Sequence, residues 1–327
     1  MEEKEGMLAL DYGLDLMLVG AVDSTGAVSS STGLDPAQLR RVKQQSQGLA
    51  TIDLPEAVAT AGVTGSELLT KVEADCLLEA SPTDLQTGGA GLATMQTALR
   101  AGLDVVSANK GPLVVAYNEL ADLARKNGAA LKFSAAVATA CPTVNIGQRD
   151  LVGCKIECVD GIFNLTTNYV LCQMAEEGLA FEEALAQAQA QGIAEADPTL
   201  DVDGWDAAAK LVILANSVLK MPATLEEVQV EGIRDVSVKD LDQARAQGAV
   251  IKLVASARVN ESNGYRLEVK PQRLDASHML ADLKGDQLGI VYHTDIQGTV
   301  SSVVGKQGTR STAAAMLRDL LNIYTDA

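Results

Sequence analysis

Short apolar runs punctuate the amino-terminal part of the chain. Residues 14–22 (LDLMLVGAV), 74–80 (ADCLLEA) and 103–108 (LDVVSA) are each closed by Asp, Gly, Ser or Asn, as buried strands are. Residues 36–47 and 54–59 are predicted as short connecting helices. SPTDLQTGGAGLATMQTALRAG reads as a loop entering an amphipathic helix, a further helix covers 116–127, and 131–137 is predicted as a strand leaving the first domain. Strands and helices that alternate in this way predict an α/β fold with a Rossmann-like, doubly wound parallel sheet. Beyond it the pattern changes. An Ala- and Gln-rich helix over 181–191 ends at Gly192, and a helix from Trp205 has apolar Ala208, Leu211, Val212, Leu214, Ala215, Val218 and Leu219 at helical spacing, with Asp206 and Lys210 on another face. Strands are predicted over 228–233, 249–259 and 265–271, and two more over 289–304 before a final helix, which together make an α+β domain.

Composition narrows the function. The chain has 327 residues, enough for two domains, and its 43 acids against 26 basic residues give a net charge of −17, which disfavours nucleic acid and anionic membranes as partners. No apolar run approaches the ~20 residues of a membrane span, and MEEKEG lacks the features of a signal peptide, so a cytoplasmic location is expected. Five cysteines form no zinc pattern. Cys154 and Cys158 are predicted on one face of a strand as buried thiols, and His278 and His293 as structural residues.

Candidate chemistry concentrates in EADPTLDVDGWDAAAKLVILANSVLK, residues 195–220. Asp197-Pro198 and Gly204 predict an ordered loop before the helix. Asp206 and Lys210 stand at i, i+4, a pair worth only about 0.2–0.5 kcal/mol on an exposed helix but able to orient and tune an ammonium in a cleft. From the pair alone, a surface salt bridge is the plainer reading. Asp201, Asp203 and Gly204 match part of a calcium loop, but Thr199 and Lys210 occupy the positions of its first and last ligands.

The run G-I-A-E-A-D-P-T-L-D-V-D-G-W-D-A-A-A-K-L closely resembles a characteristic segment of homoserine dehydrogenases. V-V-S-A-N-K-G-P-L resembles another, and E-A-S-P-T-D-L and GIFNLTTNYVLCQM resemble two more. The resemblance implies reversible NAD- or NADP-dependent reduction of L-aspartate 4-semialdehyde to L-homoserine, in the pathway to threonine, methionine and isoleucine. It implies Lys210 as proton carrier, oriented by Asp206, with Lys110 bridging cofactor and substrate. Glu195 would bind the substrate ammonium, Asp201 would position the hydroxyl, and Thr166 would contribute to the substrate site. Ser81 would lie beside the nicotinamide ribose, and Gly305 and Gly308 in the last glycine turn would contact the dinucleotide, a turn in which Lys306, Gln307 and Arg310 depart from the family pattern. Asp23, at the end of an apolar run, stands where such folds bind the adenosine ribose, although an Asp opening a turn is as ordinary.

Three departures from the family bear on function. Ser134 replaces a cation-binding Glu, and Ala138, Thr139 and Ala140 replace glycines, so no metal is expected. Leu165 replaces a glycine near the substrate. The ten residues MEEKEGMLAL leave no room for a first strand and G-x-G-x-x-G turn, which predicts a truncated chain or a misplaced start. Two alternatives therefore stand beside the dehydrogenase: a related oxidoreductase with another small substrate, and a non-catalytic oligomerisation partner. The expected division is a dinucleotide-binding domain over 1–133, completed by 300–327, and a catalytic and dimerisation domain over 134–299, in a homodimer or homotetramer. Asp23 favours NAD, but Ser24 and nearby hydroxyls leave NADP open.

Overall fold

The computed structural model describes residues 2–45, 47–54, 56–261, 264–305 and 308–325. The chain forms two compact units, Met1–Phe133 with Met316–Ala327, and Ser134–Ala315.

In the first unit, helix α1 (Glu5–Tyr12) ends at Gly13, and strands β1 (Gly20–Asp23), β2 (Gly26–Ser29) and β3 (Val58–Ala61) form a small antiparallel sheet. Helix α2 (Pro36–Gln44) connects β2 to β3, capped by Asp35 with Pro36 in its first turn. Val28, Leu34, Leu39 and Leu49 bury the inner side of this layer. After α3 (Gly65–Leu69) come the parallel strands β4 (Cys76–Glu79), β5 (Asp104–Ser107) and β6 (Leu131–Lys132), connected by helices α4 (Gly89–Arg100) and α5 (Lys110–Asn127). The buried positions of α4, Gly91, Thr94, Met95, Ala98 and Leu99, follow the i, i+3, i+4, i+7, i+8 spacing of one helical face.

This α/β arrangement corrects three details. The run 14–22 is strand only from Gly20, and it pairs antiparallel in a hairpin, so among the described residues of the first unit parallel pairing is confined to β4, β5 and β6. Residues 58–61 form a strand where 54–59 suggested a helix, because Gly26, Ala27, Val28 and Ser29 offer their free edge to it. The predicted strand over 131–137 stops at Lys132, and Ser134–Ala136 is a 3-10 turn.

The second unit is built on a six-stranded mixed sheet in the order β12-β11-β7-β9-β10-β8. Its strands are β7 (Ile156–Ile162), β8 (Val228–Val230), β9 (Ala249–Val259), β10 (Tyr265–Asp275), β11 (Gln287–Thr294) and β12 (Gly298–Gly305), all antiparallel to their neighbours except β8 against β10. The helices are α6 (Thr143–Asn145), α7 (Leu165–Glu177), α8 (Phe181–Ala190), the single turn α9 (Thr199–Val202), α10 (Trp205–Ser217) and α11 (Val238–Ala246); α12 (Thr309–Tyr324) crosses the boundary at residue 315. By this division β12 lies with the second unit.

Helix α10 is the element that the sequence pattern misjudged most. It is buried on all sides, with every residue from Asp206 to Ser217 except Lys210 buried, so Asp206 and Lys210 are not on a solvent face. Gly204 makes its entry possible: the residue has φ 87°, and a Cβ there would lie 3.1 Å from a methyl of Val230 in β8. Gly161 is as constrained, because its Cβ would meet the ring of Phe163 at 2.0 Å, and that ring is only 1% exposed. Gly161→Ala therefore forces ring or strand to move, and urea unfolding is expected to show a loss of about 1–3 kcal/mol; an unchanged midpoint would contradict this packing.

Candidate functional site

At the end of β7 the chain passes through Phe163 and Asn164 into α7. Asn164 is the N-cap of that helix, with φ −121° and ψ 124°, and its Oδ1 accepts the Thr167 backbone N–H at 2.9 Å. Its Nδ2 points the other way and donates to Asp201 Oδ1 at 2.7 Å and to Asp206 Oδ2 at 2.9 Å. The Thr166 hydroxyl donates to Asp201 Oδ2 at 2.8 Å. From α10, Lys210 Nζ donates to Asp206 Oδ2 at 2.6 Å and to the Phe163 carbonyl at 2.6 Å. The side chains of Lys210 and Asp206 are only 13% and 10% exposed, so the i, i+4 pair is enclosed and not a surface bridge.

Four of the expected residues, Thr166, Asp201, Asp206 and Lys210, thus form one hydrogen-bonded group. Glu195 is exposed, in a loop whose Glu195 and Ala196 carbonyls accept Gln189 Nε2 at 3.1 and 3.3 Å. Chemically, the group offers an ammonium held between a carboxylate and a carbonyl, next to a second carboxylate held by two neutral donors. Such a lysine can hand a proton to, or take one from, an oxygen placed against it.

In the first unit, Ser81 and Lys110 follow the carboxyl ends of β4 and β5, where open parallel sheets bind ligands. The buried Glu79 carboxylate accepts both the Ser81 hydroxyl and, at 2.8 Å, the Ser81 backbone N–H, while Asn109 Nδ2 reaches Ser81 Oγ at 3.1 Å. Asn109 also caps α5 through Gly111 N–H, and Lys110 is the first residue of that helix. Gly91 is essential to this cluster, since a Cβ there would stand 2.6 Å from Asn109 Nδ2. Asp23 closes the β1–β2 hairpin: its oxygens accept Thr25 N–H and hydroxyl, Lys43 Nζ at 2.5 Å and Leu49 N–H at 3.1 Å. Gly305 ends β12 and Gly308 precedes α12, in which Arg310 is exposed; Lys306 and Gln307 lie outside the described residues.

The homoserine dehydrogenase family model matches residues 142–321. The homoserine dehydrogenase of Methanocaldococcus jannaschii is 35% identical over 322 residues, which cover 98% of this chain and 93% of that protein. The NAD(+)-dependent homoserine dehydrogenase of Pseudomonas canavaninivorans is 34% identical over 326 residues, covering 99% and 91%. Among solved structures, the homoserine dehydrogenase of Thermoplasma acidophilum superposes with a TM-score of 0.80 at 25% identity, covering 98% of this chain and 93% of that one. The chain belongs to the homoserine dehydrogenase family. Neither alternative drawn from the sequence gains support from these matches.

Ala138 and Thr139, two of the three residues that the sequence resemblance sets against glycines, have φ 56° and 49°, a left-handed conformation that costs non-glycine residues energy. Among the described residues no group of three or more His, Cys, Asp or Glu side chains is placed to hold a metal ion. Cys158 is buried in β7, but Cys154 lies before that strand and is only half-buried, so the two do not form the expected pair. Burial and the neighbouring Asp160 push the Cys158 thiol up to about 12, which keeps it protonated and unreactive. His278 Nδ1 accepts the Leu280 N–H at 3.1 Å, and His293 Nδ1 lies 3.1 Å from Thr299 Oγ1.

The residue that the sequence did not single out is Asn164. Its match to the family was visible, but an N-cap accounts for an asparagine at a helix start, and its carboxylate partners lie 37 and 42 residues away.

Asp23 supplies a pH test. Burial raises its carboxyl, but the hydrogen bonds from Lys43, Thr25 and Leu49 outweigh this and hold it well below the usual range. A depressed folded value gives stability that is present above about pH 4 and lost as the pH falls further. Asp23→Asn is expected to reduce stability at neutral pH and to flatten the acid decline measured by thermal melting between about pH 5 and 2; a parallel decline in both proteins would contradict the arrangement.

Proposed function

We propose that this chain is an oxidoreductase that interconverts L-homoserine and L-aspartate 4-semialdehyde, with Lys210 carrying the proton of the substrate oxygen. The observation that carries the reading is the enclosed Lys210 ammonium, held by Asp206 and the Phe163 carbonyl within a family whose members bear this activity by name. A hydroxyl becomes a carbonyl only if its proton leaves as a hydride leaves the carbon. Asp206 fixes the ammonium for that exchange. Asp201, held by Thr166 and Asn164, is oriented to position the substrate hydroxyl, and the exposed Glu195 carboxylate is available to the substrate ammonium.

The polar groups at the carboxyl ends of β4 and β5 suit a nicotinamide dinucleotide: a Ser81 hydroxyl oxygen fixed by the buried Glu79, beside the Asn109 carboxamide. Ser81 and Lys110 would hold it, with Gly305 and Gly308 as further contacts. NAD or NADP, when bound, supplies the two-electron hydride acceptor or donor. Asp23 remains a candidate ribose ligand, although its oxygens already serve the hairpin. We further place the protein in the cytoplasm, in the aspartate-derived route to amino acids, as a homodimer or homotetramer. Its acidic charge supports that location, and among the described residues no helix is long and apolar enough to cross a membrane.

Steady-state assay of homoserine oxidation with NAD and with NADP tests the reading. Lys210→Ala is expected to lower kcat by at least about 10²-fold while leaving dinucleotide affinity unchanged, and Lys110→Ala to weaken both cofactor and substrate binding. A Lys210→Ala enzyme in which only KM rises would make Lys210 a binding residue.

A further inference from the structure

The Asn164 side chain does more than its place in the sequence requires. An N-cap needs one acceptor, and here Oδ1 provides it to the Thr167 N–H at 2.9 Å and to the Thr167 hydroxyl at 3.1 Å. That contact fixes which end of the amide is which. In the flipped orientation the NH2 group would face a backbone N–H, and the carbonyl oxygen would face two carboxylates, both repulsive. Nδ2 therefore points to Asp201 and Asp206, and each of its two hydrogens has a carboxylate acceptor, at 2.7 and 2.9 Å.

We infer that Asn164 is a positioning residue for the proton-carrying lysine: its two amide hydrogens hold Asp201 and Asp206 apart and oriented as a pair, one on each side. Asp206 Oδ2 is shared between Asn164 and Lys210, so the same donor that fixes the carboxylate fixes where the ammonium rests. Asp201 has its other oxygen on Thr166, which leaves the carboxylate little freedom to turn toward Asp206. Two carboxylates within reach of one amide repel, and a neutral double donor between them offsets that repulsion without adding a cation that would compete with Lys210 for Asp206. Asn164 is 5% exposed and Asp206 8%, so water cannot readily take over the role.

Capping chemistry gives the test its resolution. Asn, Ser and Asp are nearly equal as N-caps, so a residue that only caps α7 can be exchanged among the three at little cost. Serine keeps an acceptor but has no amide to bridge the carboxylates, and aspartate keeps the acceptor while adding a third negative charge. The inference rests on homoserine oxidation by the wild-type chain. In the full-length protein, Asn164→Ser is expected to reduce kcat for homoserine by about 10- to 100-fold, with dinucleotide KM within about twofold of wild type and melting temperature within about 3 °C. Asn164→Asp is expected to fall below the serine variant, and calorimetric titration with homoserine alone should give the same rank order of affinity. Equal kcat and equal homoserine affinity in all three proteins would overturn the inference and leave Asn164 a helix cap, with the dehydrogenase reading intact. A wild-type chain that oxidises no homoserine with either dinucleotide would overturn that reading, and the inference with it.

Discussion

A lysine side chain enclosed on a helix that is buried from Asp206 to Ser217 but for that lysine is the constraint to which the second unit is fitted. Moving an ammonium out of water is costly unless charge and hydrogen bonds replace the hydration it loses. Here a carboxylate one turn earlier on the same helix and a carbonyl from the β7–α7 junction take that place, each at 2.6 Å from Lys210 Nζ. Neither partner is adjustable. Asp206 belongs to the first turn of α10, whose entry depends on Gly204 packing against Val230, and the Phe163 carbonyl belongs to a residue whose ring lies over Gly161. Backbone packing on either side therefore limits where that nitrogen can rest.

The same logic extends outward. A second carboxylate near the first would disturb the pair, and the structure answers with neutral donors: the Asn164 amide to both acids and the Thr166 hydroxyl to Asp201. The charged group is therefore a network in which most members are held by a neighbour on another element, the kind of arrangement in which displacing one residue displaces the rest. The first unit uses a related device on a smaller scale, with the buried Glu79 fixing Ser81 at the carboxyl end of β4.

How much of this was legible in the chain depends on the range of the interaction. The long antiparallel pair β9–β10 and the amphipathic α4 were readable because apolar periodicity is a local signal. Asp206 and Lys210 were readable as a pair because i, i+4 places them together whatever the fold does. That the pair is enclosed was not, since an alanine-rich helix looks the same whether one face or all of it is covered, and only tertiary packing decides. The short strand β3 was misread as a helix because four residues, Val58 to Ala61, carry too little pattern to outweigh helix-tolerant alanines, and its pairing with β2 is a nonlocal event. Asn164 was legible as a family match and a helix cap, but its bonds to Asp201 and Asp206 were not, because they span 37 and 42 residues.

The role proposed for Lys210 puts its Nζ against the substrate oxygen. A crystal structure of the protein with homoserine bound tests this most directly. The homoserine hydroxyl is expected within hydrogen-bonding distance of Lys210 Nζ, with Asp206 and Asn164 keeping their contacts to each other and to Lys210 and Asp201. A hydroxyl bound elsewhere, with Lys210 still closed onto Phe163 and Asp206, would contradict it.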